Sequence, residues 1–144
     1  MVQYPLRFVV ESKGGGGIQK PWVSHVPALP ELVCAIPPEF EGPGGGLSPE
    51  DLFGLAVANC FAATLRVIAE KSRVAFEHVN VAAELTVDRD GAGRPWMSAM
   101  TLKVTMKAGE TSHERVLRVL EKTSQSCLVI HSIRTPVTFE FVIS

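Results

Sequence analysis

The stretch SPEDLFGLAVANCFAATLRVIA, residues 48–69, predicts a long central helix with a cysteine, Cys60, in its middle. Ser48 is a favoured N-cap residue, a proline suits the first helical position, and Glu50 and Asp51 place negative charge where the helix dipole favours it. Apolar side chains then point in nearly every direction around the helix axis. We therefore expect a helix that is buried on all sides, which a 144-residue monomer can hardly surround by itself.

A second helix is predicted to carry another inward cysteine, Cys127. Thr111 and Glu114 match a capping box, with Thr111 as the cap and Glu114 reaching back. An apolar stripe with helical spacing follows, formed by Val116, Leu120, Thr123, Cys127 and Ile130. If the two helices pack together, one thiolate could attack an oxidant and the other thiol could condense with the resulting sulfenic acid. Taken singly, each cysteine is explained equally well as a small core residue.

Alternating apolar residues predict strands on both sides of these helices. The predicted strands are residues 2–11, 18–25, 31–36, 79–87, 96–106 and 137–143. Glycines and prolines in residues 37–49 predict an irregular loop that leads into the first helix. The element order β-β-β-α-β-β-α-β is typical of an α+β fold.

Length and composition limit the class of protein. A chain of 144 residues fits one ordinary domain, residues 1–144, and 46% apolar with 20% charged residues is close to a globular average. The net charge of −1 and the absence of any basic block argue against nucleic acid as a partner. Asn59, Thr64 and Arg66 interrupt the most apolar stretch, so we do not expect a membrane partner.

Cysteine and histidine usage points to free thiols rather than to a metal or cofactor. The start of the chain lacks a basic region followed by an apolar run, so we expect a cytoplasmic protein with three reduced cysteines. The third, Cys34, is predicted to be a packed strand residue. The four histidines are widely spaced, at His25, His78, His113 and His131. Without paired ligands or a phosphate-binding glycine motif, no metal and no cofactor is expected.

Three segments carry a resemblance to a known family. The chain resembles the osmotically inducible protein C and organic hydroperoxide resistance (OsmC/Ohr) family in these segments. They are residues 41–53, which hold the glycine-rich loop and Pro-Glu-Asp-Leu-Phe, then Ala58-Asn59-Cys60-Phe61, and then Ser126-Cys127-Leu128-Val129. The resemblance implies an OsmC-like intertwined homodimer, in which two central helices of each subunit are wrapped by antiparallel sheets.

The same resemblance implies a peroxidase that acts on organic hydroperoxides. Cys60 would be the attacking thiolate, Cys127 the resolving thiol, and Glu50 would contribute from across the subunit interface. Within one chain Glu50 precedes Cys60 by ten residues, so about 15 Å of helix rise separates their backbones. A dithiol reductant, either a lipoylated or a thioredoxin-like protein, would restore the thiols.

One feature departs from the family's pattern. Peroxidases of this family use an arginine from the N-terminal region, but the sequence has Glu39 at one such place and Lys13 followed by glycines at the other. The cations that could replace it are Arg7, Lys13 and Lys20. Two alternatives therefore stay open: a non-catalytic OsmC-like dimer that binds a hydrophobic small molecule, and a protein that senses redox state.

Overall fold

The computed structural model describes all residues, 1–144, in two compact units, Met1–Leu52 and Phe53–Ser144. The elements are β1 (Glu11–Lys13), β2 (Trp22–His25), β3 (Leu32–Cys34), a 3₁₀ turn (Pro38–Phe40), α1 (Pro49–Lys71), β4 (His78–Arg89), β5 (Pro95–Lys107), α2 (His113–Ser126), α3 (Leu128–His131) and β6 (Val137–Ile143). The α+β class is confirmed, whereas the single domain stays a prediction.

The first unit holds an antiparallel sheet in the order β1-β2-β3. The predicted strand over residues 2–11 is wrong for all but its last residue, because β1 begins only at Glu11. Residues 2–10 form no strand, and their apolar side chains are exposed, with Tyr4 at 81% and Phe8 at 87%. The alternation of apolar and polar residues shows that one face of this segment could be buried. It does not show which surface would bury that face. Strands β2 and β3 lie inside their predicted ranges.

The loop before α1 runs along β3 and needs glycine to do so. The Leu47 N–H donates to the Val33 carbonyl at 2.9 Å, and the Ala35 N–H donates to the Leu47 carbonyl at 3.1 Å. A Cβ atom at Gly42 would lie 2.0 Å from the carbonyl oxygen of Ile36, far inside van der Waals contact. These close approaches fix the point at which the chain enters α1.

The predicted start of α1 is confirmed by a reciprocal cap. The Asp51 N–H donates to Ser48 Oγ at 2.9 Å, and the Ser48 N–H donates to Asp51 Oδ2 at 2.9 Å. Helix α1 is long and apolar enough to cross a membrane, a property that core helices of soluble proteins share. Seven of its residues are buried, but Leu55 is 46% and Val67 53% exposed. Burial on all sides is therefore not achieved by one chain alone.

The second unit holds a mixed sheet in the order β4-β5-β6. Strands β4 and β5 form the predicted antiparallel hairpin, whereas β5 and β6 are parallel. The expectation of purely antiparallel sheets is wrong here, because α2 and α3 lie between β5 and β6 and return the chain in the same direction. Phe61 of α1 packs on this sheet, with ring centroids 5.8 Å from Phe139 and 6.3 Å from Phe141.

The second predicted helix differs from expectation at both ends. Its N-cap is Ser112, which accepts a bond from the Arg115 N–H at 3.4 Å, whereas the hydroxyl of the predicted cap Thr111 donates to the Ala75 carbonyl at 3.1 Å. Glu114 pairs with Arg118 instead of reaching back to the cap. At the other end α2 stops at Ser126, and α3 begins two residues later.

Candidate active site

Two cysteine thiols from separate helices are neighbours in the Phe53–Ser144 unit. Cys60 lies in the middle of α1 and is half-buried, whereas Cys127 lies at the junction of α2 and α3 and is fully buried. The two thiols interact, since Cys60 is one of the causes that raise the pKa of the Cys127 thiol, and both cysteines are reduced. The structure thus brings together the two cysteines whose meeting the sequence could not predict.

The Cys60 sulfur has two further polar neighbours. The backbone N–H of Val129 donates to Cys60 Sγ at 3.4 Å, and Thr64 Oγ1 lies 4.0 Å from the same sulfur. Thr64 is one helical turn after Cys60, so its sequence position could have indicated this contact. The contact with Val129 depends on the position at which α2 ends. The sequence has no glycine or proline there that would have predicted this end.

The Cys127 thiol is held in its neutral form. Burial, and then the hydrogen bond and charge interaction with Cys60, raise the pKa of Cys127 from 9.0 to about 11, against a smaller opposing effect of the Val129 and Ile130 N–H groups. Cys127 therefore stays protonated near neutral pH.

The raised pKa of Cys127 predicts a loss of stability at alkaline pH. Between pH 9 and about 11 the unfolded chain releases the Cys127 proton while the folded chain retains it. The free energy of unfolding should therefore be intact below this window and should fall within it by up to about 1.4 kcal/mol per pH unit. Urea unfolding of the reduced wild type and of Cys127→Ser, compared at both ends of the window, checks this. An equal fall in the variant would contradict the assignment.

Glu50, the third predicted site residue, lies in the other compact unit, Met1–Leu52. It occupies the first turn of α1, and its Oε2 atom is buried without a hydrogen-bond partner. A buried carboxylate oxygen without a donor is costly, so this atom calls for a hydrogen-bond donor from outside its own chain. His25 Nδ1 is also buried without a hydrogen bond, although Glu11 Oε1 lies 3.6 Å away.

The remaining candidates do not form a further site. The three candidate cations, Arg7, Lys13 and Lys20, are exposed, and Lys13 pairs with Glu11 at 3.5 Å. Cys34 is fully buried in β3 with its Sγ 3.1 Å from Ser24 Oγ, which agrees with a packed strand residue. No group of three or more histidine, cysteine or acidic side chains is arranged to hold a metal ion.

A neighbouring pair of thiols, one half-buried and one fully buried, on an α+β scaffold of this order defines a small dithiol protein. A family model described as OsmC-like protein matches residues 42–142, and the chain belongs to that family. A search of curated proteins by sequence found no match.

Solved structures share the fold at low sequence identity. An OsmC-like protein of unknown function from Vibrio cholerae has a TM-score of 0.86 and 14% identity, covering 96% of this chain and 100% of its own. An organic hydroperoxide resistance protein OsmC from Legionella pneumophila has a TM-score of 0.74 and 20% identity, covering 99% of both chains. The organic hydroperoxide resistance protein OhrB of Bacillus subtilis has a TM-score of 0.71 and 16% identity, covering 96% of this chain and 98% of its own.

Proposed function

We propose that this protein is a thiol-dependent peroxidase that reduces organic hydroperoxides, with Cys60 as the attacking thiolate and Cys127 as the resolving thiol. The observation that carries the proposal is the closeness of the two cysteines: Cys60 Sγ accepts from the Val129 N–H, two residues after Cys127, and Cys60 contributes to the raised pKa of Cys127. Resolution of a sulfenic acid needs the second sulfur close by. Membership of the OsmC-like family, and a fold shared with organic hydroperoxide resistance proteins, support the choice of oxidant.

The proposed reaction has three steps, which are oxidation of Cys60, disulfide formation and reduction of the disulfide. The Cys60 thiolate bonds to the terminal oxygen of the hydroperoxide as the O–O bond breaks, and the released alkoxide takes up a proton and leaves as an alcohol. The Cys127 sulfur then attacks the sulfenic sulfur of Cys60, and the sulfenic hydroxyl leaves as water with the proton of the Cys127 thiol. A lipoylated or thioredoxin-like dithiol in the cytoplasm reduces the resulting disulfide and becomes oxidised itself.

A homodimer that brings Glu50 of one subunit to the thiol pair of the other is part of the proposal. The exposed apolar side chains of Leu55 and Val67 on α1 support it, because a second copy would remove them from water. The buried Oε2 of Glu50, which has no donor in its own chain, supports it as well. Light scattering should accordingly give twice the chain mass of 15.6 kDa.

The proposed activity is tested by mixing the reduced protein with cumene hydroperoxide and dihydrolipoamide. The expected result is loss of hydroperoxide over many turnovers, with a Cys34→Ser variant as active as the wild type because Cys34 takes no part. Thiols that survive stoichiometric hydroperoxide for many minutes would contradict the proposal. An apolar ligand that co-purifies with such inert protein would favour the binding function instead.

A further inference from the structure

The helix that carries the second thiol is interrupted at Cys127 although its sequence has no residue that breaks helices. No glycine or proline occurs between His113 and His131. Nevertheless α2 ends at Ser126, and Cys127 adopts an extended conformation with φ −74° and ψ 114° before α3 begins. The interruption lies beside the Cys60 sulfur, which accepts from the Val129 N–H, and it changes the hydrogen bonding there.

An uninterrupted helix would pair the Val129 N–H with the Gln125 carbonyl, four residues earlier. In the structure both groups have other partners. The Val129 N–H donates to Cys60 Sγ at 3.4 Å, and the Gln125 carbonyl oxygen contacts His131 Nε2. The break therefore exchanges one helical hydrogen bond for two others, one of which ends on the Cys60 sulfur.

We propose that the break at Cys127 is a device that stabilises the Cys60 thiolate, with the Val129 N–H as hydrogen-bond donor and His131 as the positioning residue that holds the break open. A hydrogen bond to an anion is stronger than one to a neutral group, so this N–H favours the charged form of Cys60. His131 acts indirectly, because its ring satisfies the Gln125 carbonyl that would otherwise recapture the Val129 N–H. The Val129 N–H thereby gives the Cys60 thiolate a hydrogen-bond donor from the backbone of its own chain.

Only the use of the stabilised thiolate, attack on a hydroperoxide, rests on the proposed function. The stabilisation itself is tested without hydroperoxide. Alkylation of Cys60 by iodoacetamide at neutral pH, followed by peptide mass spectrometry on the full chain, reports how much of Cys60 is thiolate. Val129→Pro removes the N–H, and we expect Cys60 to react about threefold more slowly or worse. Leu128→Pro is the matched control, because Leu128 is 74% exposed and is preceded by the extended Cys127. Equal rates in the two variants would overturn the proposal.

Two further measurements keep the proposal testable if Val129→Pro does not fold. In the wild type the amide proton of Val129 should shift in NMR spectra as Cys60 ionises, and this shift should be absent in Cys60→Ser. A Val129 amide that does not respond would overturn the proposal. His131→Ala should slow the alkylation of Cys60 about twofold, whereas His131→Gln, which keeps a side-chain donor, should restore most of the rate. If His131→Ala leaves the rate unchanged, His131 is not a positioning residue.

These readouts separate the inference from the proposed function. Slower alkylation in Val129→Pro together with a wild type inert toward hydroperoxide would support the thiolate device and overturn the peroxidase. Hydroperoxide turnover with alkylation rates that no variant changes would support the peroxidase and overturn the device.

Discussion

Cys60→Ser is expected to abolish the consumption of organic hydroperoxide, with a loss on the order of a thousandfold or more, because the serine hydroxyl is not ionised at neutral pH. In this variant the Cys127 thiol should remain unreacted, since its burial, the largest cause of its raised pKa, persists without Cys60 and keeps the thiol protonated. Titration of free thiols before and after hydroperoxide, together with the rate of hydroperoxide loss, provides the measurement.

The complementary variant Cys127→Ser should give a different result. Cys60 should still react with the first equivalent of hydroperoxide, but without a resolving thiol it should proceed to the sulfinic and sulfonic acids under excess oxidant. Mass spectrometry of the intact chain distinguishes these products by their added oxygen atoms. If both variants behaved alike, or if Cys60→Ser still consumed hydroperoxide, the assigned roles would be wrong.

Phe61→Ala should destabilise the fold by about 3–5 kcal/mol, the largest effect we expect from a single core substitution. The Phe61 ring is fully buried and packs between α1 and β6, against Phe139 and Phe141. Its removal leaves a cavity next to the residue that carries the attacking thiol. Urea unfolding followed by circular dichroism measures the change in the free energy of unfolding.

Val142→Ala is the matched control for this substitution. Val142 lies on β6 next to Phe141, but its side chain is 44% exposed. Its replacement should cost no more than about 1 kcal/mol. A loss of similar size in both variants would show that Phe61 does not have the core position described above.

Local chemistry made the α1 region predictable from sequence. Ser48, the proline after it and two acidic residues all favour a helix start at the same place, and the structure adds only that Asp51 completes the cap. The second cap was harder to place, because Thr111 and Ser112 are both good N-caps in consecutive positions. Ser112 takes the role, and the Thr111 hydroxyl instead points to the Ala75 carbonyl, to which it donates although Ala75 is distant in sequence.

The features that could not be predicted all depend on tertiary contacts. The alternation in residues 2–10 indicates a face that could be buried but does not create the surface that buries it. Helical spacing placed Cys127 on an inward face, but it could not place the end of α2, because the apolar stripe continues through Cys127 to Ile130. For the same reason the Val129 N–H, a backbone group without any side-chain signature, could not be recognised as a neighbour of Cys60.

The most direct test of the proposed two-cysteine peroxidase is to map the disulfide that forms when the reduced protein receives one equivalent of an organic hydroperoxide. Proteolysis under non-reducing conditions and mass spectrometry identify which cysteines are joined. We expect an intrachain bond between Cys60 and Cys127, with Cys34 still a free thiol. Three intact thiols, or a disulfide that includes Cys34, would contradict it.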